Sequence, residues 1–301
     1  MTQALRTPDE RFSGLPDFPY RPHYADDLPG YEGLRAAWID EGPKDAAATF
    51  LCLHGEPTWS FLYRKMAAVF LRAGGRVLAP DFFGFGRSDK PAEEGVYSFH
   101  FHRNHLLRLI ERLDLKEITL VLQDWGGLLG LTLPLDAGFR RRLKRLIVMN
   151  TTLAVGETPS AGFTAWRAYV AGNPEFDVAA LMKRAAPILT GAEAAAYGAP
   201  FPDPSYMAGV RAFPKLVMTD PSMEGVEESR AALGFWSREW DGPTFMAVGA
   251  QDPVLGPDVM ARLRAHIRGC PEPMIVADGG HFLQEWGGPI AQAALESFGG
   301  A

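Results

Sequence analysis

The segment that decides the fold reads LVLQDWGG, residues 120–127. An apolar run ends in two polar residues, and a tryptophan and two glycines follow at once. This pattern is typical of a nucleophile elbow, a strand–turn–helix unit that holds a reactive side chain at the tip of a tight turn. Such a turn demands a small residue two positions after the tip, which Gly126 supplies, although Leu122 departs from the usual glycine two positions before it. The segment therefore predicts that Asp124 lies at the carboxyl end of a buried strand.

A carboxylate at the tip restricts the chemistry. It is ionised near neutral pH and needs no base to act as a nucleophile. Its attack on an acyl carbon would give an anhydride that readily reverts, whereas in-line attack on an alkyl carbon with a good leaving group gives a stable ester. The alternative is that Asp124 is an N-cap, with its carboxylate accepting backbone N–H bonds at a helix start.

Two further groups follow strands later in the chain. Asp252 comes after the predicted strand 243–249, and His281 comes after the predicted strand 273–276. With Asp124, this gives the order nucleophile, acid, histidine, one group at each of three strand ends, as an Asp-His-Asp triad requires. The alternatives are that Asp252 forms a turn before Pro253 and that His281 is a hydrogen-bonded loop histidine.

Strand and helix patterns alternate over residues 48–150 and again over 226–298, which predicts a parallel sheet covered by helices. The strand signal disappears between Leu153 and Met223, where helical spacing is broken by five prolines. We therefore expect one core domain, residues 1–152 and 224–301, interrupted by a helical cap, residues 153–223. The first forty residues suggest an edge hairpin. In such sheets ligands bind at the carboxyl ends of the strands.

Composition excludes several classes of protein. The 301 residues are 47% hydrophobic and 22% charged, which indicates a globular protein. The net charge of −6 leaves no excess of cations for nucleic acid or an anionic membrane, so we expect neither partner. The two cysteines, Cys52 and Cys270, lack metal or redox spacing and are expected to be reduced thiols. No export signal or bilayer-spanning run is visible, so we expect a cytoplasmic protein, and a monomer.

Two other motifs could suggest a phosphate loop and a metal site, but neither is well supported. Gly84-Phe85-Gly86 follows a strand but does not open the first strand–turn–helix unit, so we interpret it as a tight turn. His100, His102 and His105 resemble a metal cluster, yet on a helix the first two diverge by about 200°. We therefore assign no metal and no cofactor.

Four segments together resemble the haloalkane dehalogenases of the α/β-hydrolase superfamily. They read HGEPTW (54–59), DFFGFGRS (81–88), QDWGG (123–127) and GHFLQE (280–285). The resemblance runs nearly end to end and is closest to the 1,2-dichloroethane-type subfamily, through GFTAW (162–166) and GPDVM (256–260). It implies an α/β-hydrolase fold, with a mostly parallel eight-stranded sheet, flanking helices and an inserted helical cap. It also implies a haloalkane, water and a halide ion as small-molecule partners.

The resemblance assigns roles to the triad. Asp124 would attack the halogen-bearing carbon, His281 would be the general base that activates water, and Asp252 would orient His281. The backbone N–H groups of Glu56 and Trp125 would form the oxyanion hole.

It also assigns the halide site. The indole N–H groups of Trp125 and Trp166 would bind the departing halide, and Phe163 would line the substrate pocket. Spacing alone favours another reading, because Phe163, Trp166 and Tyr169 form the apolar stripe of an ordinary packing helix. Trp236 and Trp240 are expected to lie in the core or at its rim.

Three alternative functions are compatible with the same fold. An epoxide hydrolase would need acidic phenols, which Tyr169, Tyr197 or Tyr206 could supply. A haloacid dehalogenase would want an arginine beside Asp124, where the sequence has Trp-Gly-Gly. A non-catalytic binding protein would lose members of the triad, all of which are present. Trp125 favours a halide, so the sequence predicts a haloalkane dehalogenase that releases a primary alcohol, a halide and a proton.

Overall fold

The computed structural model describes residues 2–299, which form ten strands and eleven α-helices. Eight of the strands form one sheet in the order β10-β9-β8-β7-β4-β5-β3-β2. Neighbours from β10 to β5 run parallel, and β3 and β2 are antiparallel additions at one edge. The strands are β1 (Ala4–Leu5), β2 (Pro22–Ala25), β3 (Ala36–Glu41), β4 (Thr49–Leu53), β5 (Arg76–Asp81), β6 (Lys90–Pro91), β7 (Ile118–Leu122), β8 (Leu143–Met149), β9 (Thr244–Gly249) and β10 (Met274–Val276). The predicted mostly parallel eight-stranded sheet and its edge hairpin are confirmed.

Helices cover the sheet. Every residue of β4, β7 and β9 is buried, as expected for parallel strands with both faces covered. No helix among residues 2–299 is long and apolar enough to cross a membrane. The helices are α1 (Arg64–Arg72), α2 (Phe99–Arg112), α3 (Trp125–Gly130), α4 (Ala137–Arg142), α5 (Ala161–Gly172), α6 (Val178–Ala185), α7 (Gly191–Gly198), α8 (Ala208–Leu216), α9 (Val226–Arg238), α10 (Pro257–Ala265) and α11 (Gly287–Ser297).

Two predicted helices have different bounds in the structure. The apolar spacing of residues 61–72 predicts a single helix, but residues Ser60–Tyr63 form a 3-10 turn and the α-helix begins at Arg64. The sequence pattern of residues 127–135 also predicts a single helix, but the structure has α3 over Trp125–Gly130 and a separate 3-10 turn at Leu133–Leu135. Pro134 lacks the N–H that would continue an α-helix through this point.

The segment between β8 and β9 carries α5 to α8, and its described residues contain no strand. Helices α5 and α8 contact each other, as do α6 and α7. This is the helical content expected for residues 153–223, although the boundaries of a separate cap stay a prediction.

Candidate active site

The turn between β7 and α3 is strained, and its two glycines lie too close to neighbouring atoms to carry side chains. Asp124 has φ 48° and ψ −125°, a left-handed conformation that non-glycine residues rarely adopt. A Cβ on Gly126 would lie 1.9 Å from the Leu53 carbonyl oxygen, and one on Gly127 would lie 2.0 Å from Thr151 Oγ1. Only glycines fit at these two positions. The tight packing holds the Asp124 side chain above the carboxyl ends of the strands.

The two oxygens of the Asp124 carboxylate have different surroundings. Oδ2 accepts a hydrogen bond from the Glu56 backbone N–H at 2.9 Å, and the Trp125 backbone N–H also donates to the carboxylate. Oδ1 lies 3.8 Å from His281 Nε2. Burial raises the pKa of Asp124, although His281 and the two N–H groups favour the ionised form. Oδ2 is therefore held by the Glu56 N–H, while Oδ1 faces the histidine.

Asp252 lies behind His281, on the side away from Asp124. His281 Nδ1 is 2.9 Å from Asp252 Oδ2, which also accepts from Asn150 Nδ2 at 2.8 Å. The N–H groups of Val254 and Leu255 donate to Asp252 Oδ1 at 2.8 and 3.1 Å. The structure thus brings the three predicted triad residues into one line.

The charges in this line change the pKa values of its members. Burial would raise the pKa of Asp252, but the charge of His281 and hydrogen bonds from His281 and Asn150 lower it to about 2. Burial would lower the pKa of His281, but the carboxylates of Asp252 and Asp124 raise it to about 9. The resting site therefore favours an imidazolium between two carboxylates.

A cavity of about 680 Å³ opens beside Asp124 and His281. Its wall includes Glu56, Trp125, Trp166 and Phe163, so every predicted site residue except Asp252 lines it. None of its lining residues within 2–299 is a tyrosine. The cavity is mostly apolar with a few convergent polar groups, the usual character of a small-molecule site.

The four tryptophans that the sequence analysis singles out fall into two groups. The buried indole N–H of Trp236 donates to the Leu131 carbonyl at 2.7 Å, and that of Trp240 donates to Thr244 Oγ1 at 2.9 Å, so both belong to the core. Trp125 and Trp166 instead line the cavity.

Glu56 is buried at the edge of this cavity, next to the nucleophile. Burial and the nearby charge of Asp124 raise the pKa of the Glu56 carboxyl well above its ordinary value, although the neighbouring indole of Trp166 acts in the opposite direction. Burial therefore favours the neutral form of the Glu56 side chain, beside Asp124 and the two indoles that line the same cavity.

The histidines of the possible metal cluster and the tyrosines of the epoxide-hydrolase alternative do not line the cavity. His102 and His105 are fully buried among aromatic rings, whereas His100 lies at the surface beside Glu224 and Glu228. The hydroxyl of Tyr197 donates to Glu285 in a buried cluster with Arg64, and the ring of Tyr169 stacks on Trp166 at 5.8 Å. The phenols that an epoxide hydrolase would need are therefore not in the cavity wall.

Sequence reasoning missed two supporting residues. The ring of Phe213, on α8, packs on Trp125 with centroids 4.6 Å apart. Gln123 is fully buried and donates to the His281 carbonyl at 3.0 Å. The sequence offers one signal for Gln123, a polar residue that ends an otherwise apolar strand, and none for Phe213.

Comparisons with known proteins agree with this geometry. The family described as the alpha/beta hydrolase fold matches residues 48–288. A haloalkane dehalogenase from Psychrobacter cryohalolentis is 42% identical, with 98% of each chain covered. The chain belongs to the haloalkane dehalogenases. A second haloalkane dehalogenase, from Mycolicibacterium paratuberculosis, is 41% identical over 95% of each chain. Among solved structures, the tetrameric haloalkane dehalogenase from Paraglaciecola agarilytica NO2 is 55% identical with a TM-score of 0.96, covering 98% of this chain and 99% of that one.

Membership in the haloalkane dehalogenases confirms the predicted fold and the predicted reaction class, hydrolysis of a carbon–halogen bond. The expected monomer does not agree with the tetrameric relative. Composition does not indicate the oligomeric state, because an interface between copies is made of surface patches that come together only in the fold.

Proposed function

We propose that this haloalkane dehalogenase works through a covalent ester on Asp124, which water then hydrolyses with His281 as base. The observation that carries the proposal is the unequal environment of the two carboxylate oxygens. Oδ1 would attack the halogen-bearing carbon from the side opposite the halogen, and the halogen would leave with the bonding electron pair. Oδ2 would stay with the N–H of Glu56, 2.9 Å away, and become the ester carbonyl oxygen.

Trp125 and Trp166 would stabilise the departing halide. An indole N–H donates and cannot accept, which suits an anion, and the positive edge of the Phe163 ring adds to this environment. A halide leaves without a proton, so the site needs no general acid. Each donor would contribute about 3 kcal/mol, by analogy with the loss of one oxyanion-hole donor.

Ester formation prepares His281 for the second step. It removes the charge of Asp124, one of the two carboxylates that hold the pKa of His281 at about 9. The pKa of His281 then falls, because only Asp252 still opposes the effect of burial. The proton passes to solvent, and the neutral ring can act as a base.

Hydrolysis would use the same donors again. Nε2 of His281 would take a proton from the water that attacks the ester carbon, while Asp252 stabilises the imidazolium. The negative charge would develop on Oδ2 of Asp124, beside the N–H groups of Glu56 and Trp125. Collapse would release a primary alcohol and restore the carboxylate, so that one haloalkane and one water give one alcohol, one halide and one proton.

We also propose that residues 153–223 act as a cap on the core formed by residues 1–152 and 224–301. The cap would bring Phe163 and Trp166, both on α5, to the cavity opposite Trp125 on the core. The halide would then be held between the two units. A cytoplasmic location stays a prediction, and the tetrameric relative makes an assembly of several copies the expectation to test by light scattering.

The test of the mechanism traps the ester. His281→Gln treated with 1,2-dibromoethane should gain the mass of one bromoethyl group, located on the peptide that contains Asp124. Asp124→Asn, the matched control, should gain nothing. In a single turnover of the unaltered enzyme in H₂¹⁸O, the heavy oxygen should enter the Asp124 carboxyl. An unmodified His281→Gln that still turns over normally would remove His281 from the second step.

The same enzyme should be tested against the alternative substrates. Halide release from a panel of terminal haloalkanes, with styrene oxide and fluoroacetate as comparison substrates, separates the three hydrolase activities. Preferential turnover of styrene oxide would contradict the proposal.

A further inference from the structure

The side chain of Gln123 is fully buried and contacts the proposed base rather than solvent. Its Nε2 lies 3.0 Å from the His281 carbonyl oxygen and 3.3 Å from the ring nitrogen His281 Nε2. Its Oε1 accepts a hydrogen bond from Gln284 Nε2 at 3.4 Å. Gln284 is also fully buried. Two buried amides therefore form a chain that ends on the imidazole.

Chemistry fixes which end of the Gln123 amide faces His281. The carbonyl oxygen of His281 can only accept, so the amide nitrogen of Gln123 must be the group beside it. The Oε1 atom then faces the donor on Gln284. The second N–H of the same Gln123 nitrogen is left for the imidazole.

This contact distinguishes the two protonation states of the ring. His281 Nδ1 faces Asp252, so a neutral ring carries its proton on Nδ1 and its lone pair on Nε2. That lone pair can accept from Gln123. A protonated ring would instead present an N–H to the amide nitrogen of Gln123, and two donors would face each other at 3.3 Å.

The other groups around the ring act differently. The carboxylates of Asp252 and Asp124 favour the protonated ring. The ring of Phe282, with its centroid 4.9 Å away, carries no charge. Glu285, on the turn that follows His281, is paired with Arg64 at 2.7 Å. Gln123 is thus a neutral group whose donor opposes protonation at Nε2.

We propose that Gln123 is a positioning residue that keeps His281 unprotonated at Nε2 and directed at the Asp124 ester during the second half-reaction. The inference rests on the proposed roles of Asp124 and His281. It assigns a function to the residue before the nucleophile, with Gln284 holding its amide in the required orientation.

The variant Gln123→Met tests this, because methionine has a similar length and no N–H donor. In single turnovers with 1,2-dibromoethane, the first halide release should stay within about twofold of wild type. Hydrolysis of the ester should slow about tenfold near neutral pH, the effect of one lost hydrogen bond. The pH at which hydrolysis reaches half its maximum should rise by about 0.5–1 unit, because the protonated ring is no longer opposed. Gln292→Met, on the surface of α11, is the matched control and should change neither quantity.

A Gln123→Met enzyme with a wild-type ester lifetime, or with slower hydrolysis and an unshifted pH profile, would overturn the inference. The second result would assign Gln123 a purely structural role. If the variant does not fold, ¹⁵N NMR of His281 in the wild-type enzyme above pH 9, where the ring is neutral, decides instead. A neutral ring with its proton on Nδ1 supports the proposal, and one with its proton on Nε2 overturns it. If His281→Gln traps no ester, the proposed function itself fails. If it traps the ester while Gln123→Met behaves as wild type, only the role of Gln123 fails.

Discussion

Replacing Asp252 by asparagine should leave ester formation nearly intact and strongly slow ester hydrolysis. The Asp252 carboxylate accepts from His281, Asn150 and the N–H groups of Val254 and Leu255. An asparagine has only one accepting oxygen, so its NH₂ must face one of these donor pairs. If it faces His281, the imidazole must move its proton to Nε2, the atom that should act as base.

The loss can be estimated from the charge on His281. The rise of its pKa from 6.5 to about 9 corresponds to about 3 kcal/mol in favour of the imidazolium, to which Asp252 is the larger contributor ahead of Asp124. Loss of most of this energy slows hydrolysis about 10²-fold. The wrong tautomer adds to it, so we expect a total of about 10³- to 10⁴-fold.

Rapid-quench kinetics with 1,2-dibromoethane check this prediction. Asp252→Asn should show a burst of one bromide per active site followed by very slow alcohol release. Its residual hydrolysis should reach half-maximum at lower pH than wild type, because burial lowers the pKa of His281 once the charge of Asp252 is gone. Asp258→Asn, at an exposed position on α10, is the control. Hydrolysis within threefold of wild type would refute the role of Asp252.

Three further predictions concern other parts of the molecule. Trp166→Phe keeps an aromatic ring without the N–H, so the first halide release should slow about 10²-fold, and an unchanged rate would dismiss Trp166 as a donor. The raised pKa of His281 means that its stabilising contribution is complete below pH 6.5 and lost as pH rises through about 9. Wild type should therefore lose up to about 3 kcal/mol more unfolding free energy than His281→Gln between these limits in urea titrations, and equal losses would contradict the shift. Arg64→Met should lower the free energy of unfolding by about 3–5 kcal/mol, because it leaves the buried Glu285 with Lys65 as its remaining ion-pair partner and with the hydroxyl of Tyr197, and a loss below about 1 kcal/mol would show that these two suffice.

Much of the site could be predicted because its residues follow strands. Asp124, Asp252 and His281 stand in the loops that follow β7, β9 and β10, and a parallel sheet brings these strand ends to one edge. Glu56 follows β4 in the same way, but its role was predicted only through the resemblance to the haloalkane dehalogenases.

The supporting contacts could not be predicted because they join distant parts of the chain. Gln123 and His281 are 158 positions apart, and only the packed fold shows that they touch. The bounds of α1 and α3 differed because short 3-10 turns have apolar spacing close to that of an α-helix. Local periodicity does not separate the two.

The packing of Phe213 against Trp125 limits how the helical segment can be exchanged between relatives. The ring of Phe213, on α8, supports Trp125, on α3, with centroids 4.6 Å apart. A chimera that received residues 153–223 from another relative would lose this support unless the donor carried an aromatic ring at the matching site. Grafting experiments that aim to transfer substrate preference should therefore transfer the residues at positions 125 and 213 together.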